Sequence, residues 1–83
     1  MKNTAIGMNE LQPGEKGTVC SIMEKSNMRR RFEDIGIVKG STVECFGRSP
    51  GGDPAAYFIK SALIAIRDED SKNILIHKIR QET

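Results

Sequence analysis

Turn signals recur so closely in this 83-residue chain that little beyond short strands fits between them. Gln12-Pro13-Gly14-Glu15 places Pro and Gly at the second and third positions of a turn, the type II preference. Val38-Lys39-Gly40-Ser41 is a second turn, and Ser61-Ala62 reverses the chain again. Between these two, Ser49-Pro50-Gly51-Gly52-Asp53-Pro54 is a loop too rich in Gly and Pro for a regular element. The remaining runs read as strands: Lys16 to Glu24, Thr42 to Arg48, Ala55 to Lys60, Leu63 to Ile66 and Asn73 to Ile79. In Thr42 to Arg48, Val43 and Cys45 face the core. The run Lys16 to Glu24 carries apolar residues on both faces, with Val19 and Met23 pointing one way and Cys20 and Ile22 split between faces. A strand of that kind suits a closed or sandwiched sheet.

The period changes once. Met28, Phe32 and Ile35 are spaced i, i+4, i+7, one buried stripe on a short helix over Asn27 to Ile35. Ser26 or Asn27 can cap its start, and Gly36 sits where a left-handed residue ends a helix. Arg67 to Lys72 reads as a polar helical turn. The expected fold is mainly β: a small, partly closed barrel of about five strands, with a short helix after the first strand and a helical turn before the last. Leu11 is the first core anchor, so residues 1–10 are expected to be flexible, 11–79 to form one domain and 80–83 to be a loose tail.

Catalysis finds little material here. His77 is the only imidazole and lies within a strand pattern. The carboxylates Asp68, Glu69 and Asp70 stand where a helical turn favours negative charge. Pro50-Gly51-Gly52-Asp53 lacks the lysine spacing of a phosphate loop. A closed zinc site needs four Cys or His ligands, and the chain holds three such residues. No catalytic residue, metal ligand or cofactor is expected, and any metal held by this chain alone should be weak. Cys20 and Cys45 read as reduced, buried thiols. The longest apolar stretch, Ala62 to Ile66, is about a quarter of the roughly 20 residues a membrane-spanning helix needs. No export signal is evident, so a cytoplasmic location is expected, with recruitment to the inner face of the membrane through a partner.

A net charge of +2 and a pI near 8.7 fall short of a dedicated nucleic-acid domain. Charge is concentrated instead. Lys25, Arg29, Arg30 and Arg31 crowd the start of the helix, where its dipole disfavours cations, and three adjacent arginines spread over roughly 200° of its surface. They read either as a solvated rim paired with Glu33 and Asp34, or as a patch for an acidic protein surface or a phosphate. Binding residues are expected at Arg29, Arg30 and Arg31, and on the loop at Ser49, Pro50, Gly52, Asp53 and Pro54, since loops commonly carry binding surfaces. A small barrel could also bind RNA. Stacking needs exposed aromatics, however, and of Phe32, Phe46, Tyr57 and Phe58 at least two are needed inside.

The combination Leu11…Pro13-Gly14-Glu15-Lys16-Gly17…Val19, Met28-Arg29-Arg30-Arg31-Phe32…Asp34-Ile35-Gly36-Ile37…Gly40…Val43, Arg48-Ser49-Pro50…Gly52-Asp53-Pro54 and Ala65-Ile66-Arg67…Ile74 closely resembles the FeoA family. The likeness runs over roughly Leu11 to Ile76. It departs at Lys39, where the family often has Pro, and at Ser71, where a small apolar residue is common. The resemblance implies an SH3-like barrel acting in bacterial ferrous iron uptake without enzymatic activity of its own. The implied partner is FeoB, a membrane permease with a cytoplasmic GTP-binding domain. It also allows a second role, as the detached FeoA-like module of a metal-dependent repressor.

Overall fold

Six antiparallel strands follow one another in the order β1-β6-β2-β3-β4-β5, a sheet curled into an SH3-like barrel that is not fully closed. The computed structural model describes residues 4–23 and 26–79, the last range without the side chains of residues 26 and 27. The strands are β1 (Ile6–Gly7), β2 (Lys16–Ile22), β3 (Thr42–Arg48), β4 (Ala55–Ile59), β5 (Ala62–Ile66) and β6 (Ile74–Ile79). Helix α1 (Ser26–Asp34) follows β2, and the single turn α2 (Asp68–Ser71) precedes β6. A cap from the Ser26 or Asn27 side chain lies outside the described residues, as do Lys25 and the tail 80–83.

Residues 6–10 are part of the barrel rather than a loose lead. Ile6 and Gly7 pair with Ile76 and Leu75 of β6, and Met8 opens a 3-10 turn with its side chain fully buried. The sequence pattern missed this strand because two residues are too few to show a period. Strand β2 departs from expectation in a way that explains its mixed faces. Val19 pairs with Ile76 and Ser21 already with Leu75, so Cys20 is the extra residue of a β-bulge. The bulge shifts parity by one: Gly17 and Val19 point inward before it, Ile22 after it, and Met23 beyond the strand is exposed. Gly17 suits this place, since a Cβ there would run into Ile76 Cδ1 and force that side chain to shift.

Helix α1 ends as its sequence foretells. Gly36 takes a φ of 101°, its N–H bonds to the Glu33 carbonyl at 3.0 Å, and that of Ile37 bonds to the Phe32 carbonyl at 2.8 Å. This paired Schellman arrangement brings Ile37 against Phe32, both buried. The β4–β5 hairpin turns one residue earlier than expected. Ile59 pairs with Ala62, leaving Lys60 and Ser61 as a two-residue loop with φ of 49° and 71°, the doubly left-handed turn that matches strand twist. Strand β4 alternates strictly, with Ala55, Tyr57 and Ile59 in the core.

Candidate partner interface

The two clusters expected to bind a partner lie on different supports. At the loop end, Phe46 is the extra residue of a second bulge, since Cys45 pairs with Tyr57 and Gly47 already with Ala56. Parity reverses after it, so Arg48 pairs with fully buried Ala55 and turns to the same inward face. Its Nη2 donates to the carbonyls of Asn9 and, at 3.0 Å, Leu11. Its Nη1 donates to the Gly52 carbonyl at 3.2 Å and to Asp68 Oδ1 at 3.5 Å. One guanidinium thus fastens the 3-10 turn, the loop and α2 together.

The loop residues divide accordingly. Asp53 Oδ1 accepts the N–H of Asp68 at 3.0 Å, capping α2 from a distant segment. Gly52 has a φ of 91° and donates to the Ser49 carbonyl at 2.7 Å, and Ser49 donates to the Pro54 carbonyl at 3.1 Å, across a cis Asp53–Pro54 peptide. Gly52 and Asp53 are therefore occupied in holding the loop. Pro50 and Pro54 stand exposed, and Ser49 is half-buried with its hydroxyl unbonded. Beneath them, burial pushes the Tyr57 phenol up, partly offset by the Ser71 hydroxyl and then by Arg48. The Tyr57 and Ser71 hydroxyls approach each other without completing a well-aligned hydrogen bond. Ser71 is fully buried.

The helix arginines divide as well. Arg29 Nη2 donates to the Ile22 carbonyl at 2.7 Å and ties α1 to the end of β2. Arg31 lines a groove of about 340 Å³ between α1 and β5, floored by Met28, Phe32, Ile35 and Ile64 and rimmed further by Arg67 and Asp70. Arg30 is exposed. Among the described residues neither Arg30 nor Arg31 meets a hydrogen-bond or ion-pair partner, so these two are not paired with Glu33 or Asp34 as the solvated-rim reading has it. Arg67 reaches Glu69 only at 3.9 Å, with both side chains largely exposed. The groove was invisible in the sequence because β5 is recognisable as an edge strand only once the strand order is known.

A second surface lies on the outer face of β3, β4 and β5. Phe46 is 57% exposed, Phe58 37% and Leu63 50%, with the two rings edge-to-face at 5.3 Å between centroids. Phe32 and Tyr57 are the two aromatics taken by the core.

For metal and thiol chemistry, among the described residues no three His, Cys, Asp or Glu side chains gather. His77 is half-buried opposite Thr18. Both cysteines are free. Cys45 is buried, which pushes its thiol up, whereas Cys20 is half-buried and its Sγ lies 3.4 Å from the Leu75 carbonyl. Glu15 is held below the usual carboxylate range by the Gln12 N–H at 2.8 Å and then by Lys78 at 2.9 Å.

A short, partly closed barrel with arginines at the rim of an apolar groove defines the class: a small SH3-like domain. The model of the FeoA domain matches residues 6–78, and the chain belongs to the FeoA family. A curated relative from Porphyromonas gingivalis, a fusion of Fe(2+) transport protein A with the Fe(2+) transporter FeoB, is 26% identical over 72 residues. That alignment takes in 87% of this chain, which spans only 8% of the relative's length. The FeoA-like protein of Clostridium acetobutylicum is 31% identical, with a TM-score of 0.86 over 100% of this chain and 95% of that one. Two further structures share the fold at lower identity. One is Stenotrophomonas maltophilia FeoA complexed with zinc, described as a prokaryotic SH3 domain protein (24%, TM-score 0.79, 92% and 98% covered). The other is a manganese-dependent transcriptional repressor (23%, TM-score 0.83, 94% and 43% covered).

Proposed function

We propose that this chain is a non-enzymatic accessory of ferrous iron uptake that works by contact with the cytoplasmic part of a FeoB-type GTPase-permease, at the inner face of the membrane. Its place in the FeoA family and the fusion of a related domain to FeoB in one polypeptide support that partner. The observation that carries the site is the α1/β5 groove, where an apolar floor meets Arg31, which no group of the described chain engages, and Arg67, which Glu69 reaches only at 3.9 Å. Such a surface favours an acidic, partly apolar protein segment. The proposed contact set is Arg30 and Arg31, with Ser49, Pro50 and Pro54 on the loop next to the Ile66 end of β5. Arg29, Gly52 and Asp53 contribute by holding these elements in place. No metal or cofactor is part of the proposal, and any iron dependence runs through the partner.

The test is calorimetric titration of this chain into the permease's cytoplasmic domain, with and without a GTP analogue. It is repeated with Arg29→Ala, Arg30→Ala and Arg31→Ala combined. Binding that the triple variant loses supports both partner and patch. Binding that survives keeps the partner and discards the arginines. Absence of binding, with full-length permease included, overturns the proposal.

One observation favours a second reading. The exposed Phe46–Phe58 pair offers a stacking surface, with Lys16 and Lys60 lining a depression beside Phe58. A small RNA-binding barrel would show oligonucleotide affinity falling steeply with salt.

A further inference from the structure

Among the described residues, strand β5 carries an edge that no further strand covers. It pairs on one side only, with β4, and stands at the end of the sheet. Its sequence, Ala62-Leu63-Ile64-Ala65-Ile66, contains no charge and no proline. Edge strands normally carry such residues, or lie under a covering element, because free N–H and C=O groups recruit other chains. Helix α1 lies alongside but leaves the groove open between them. Ala62, Leu63 and Ala65 are exposed, and among the described residues no hydrogen bond from outside β4 reaches β5.

We propose that β5 receives an extended, acid-flanked apolar segment of a partner protein as an additional strand. This rests on the permease contact proposed above and names the kind of segment that would make it. Main-chain hydrogen bonds to β5 would supply affinity, as in other strand additions. Alternate apolar side chains of the segment would enter the groove over Met28, Ile35 and Ile64. Carboxylates at the ends of the segment would meet Arg31 and Arg67. Charge selects this occupant over a second copy of the chain: two copies joined edge to edge would set the Arg31 and Arg67 rim of one beside that of the other. Asp70 is the one carboxylate lining the groove, and Glu69 meets Arg67 only at 3.9 Å with both side chains largely exposed, which leaves Arg31 unopposed among the described residues.

The probe is a capped synthetic peptide, Asp-Val-Thr-Val-Thr-Ile-Glu, titrated into the ¹⁵N-labelled full chain. A second peptide with Lys at both ends serves as the control. The expected result is slowed amide exchange and cross-strand contacts at residues 62–66, with the Lys-ended peptide bound about tenfold more weakly. Arg31→Glu combined with Arg67→Glu lies on exposed positions, and it should reverse that preference while leaving the thermal transition in place. Three outcomes overturn the proposal: no shift along β5 at millimolar peptide, equal affinity for both peptides, or dimerisation of the chain through β5. If the permease domain binds but the double variant does not weaken it, the edge proposal fails and the partner stands. If the peptide binds and the permease does not, the edge stands and the partner falls.

Discussion

Arginine does opposite work in the loop network and beside the helix. Near the loop, Arg48 is largely buried, and its guanidinium donates to three carbonyls and one carboxylate. Beside the helix, Arg31 and Arg67 offer the same planar fork to solvent above an apolar floor. A guanidinium with its donors taken up fixes structure, and one left open next to apolar surface is where the proposed partner contact is placed. Arg48→Ala should therefore give the largest effect. It would leave the carbonyls of Asn9, Leu11 and Gly52 without their donor and cost about 2–4 kcal/mol in urea denaturation. Arg48→Lys should recover little, because an ammonium cannot reproduce the fork. By contrast, Arg31→Glu should change stability by less than about 0.5 kcal/mol. Equal losses at the two sites would erase the distinction.

The turns extend the comparison at smaller scale. Gly36→Ala forces a side chain into a φ of 101°, with its Cβ 2.9 Å from Lys60 Cδ, and should cost about 1–2 kcal/mol. Replacing Lys60 and Ser61 by Asn and Gly should gain about 1 kcal/mol, since both positions are left-handed. Reversed signs in thermal melts would contradict the turn assignments.

The carboxylate clasp on β2 gives a pH signature. Glu15 has a lowered pKa, so its stabilisation is complete above its ordinary value of 4.5 and is lost as pH falls through the depressed value. Glu15→Gln should flatten that acid limb, as read from denaturation midpoints across pH 2 to 6. The thiols give the smallest effect but a clean contrast. Cys20 should alkylate in the native protein, while Cys45 should resist until unfolding.

Much of this barrel was legible because the chemistry is local. The Pro13-Gly14 turn, the Met28-Phe32-Ile35 stripe and Gly36 each need only a few neighbouring residues to act. What escaped depends on distant partners. The strand at Ile6–Gly7 exists only because β6 is there to receive it. The two bulges re-aim Ile22 and Arg48 without any mark in composition. For the same reason the residues of the expected binding set differ in what they do within the fold. The sequence showed three arginines in a row but not that Arg29 is spent on the Ile22 carbonyl. It showed Asp53 in a loop but not that Asp53 caps α2.

The most direct measurement is a chemical-shift map of the ¹⁵N-labelled chain in the presence of the permease's cytoplasmic domain. The expected result is perturbation concentrated on residues 28–35 and 62–67, flanking the groove, and reaching Ser49 on the adjoining loop. Shifts centred instead on Phe46 and Phe58, or none with any form of the permease, would contradict the partner surface assigned here.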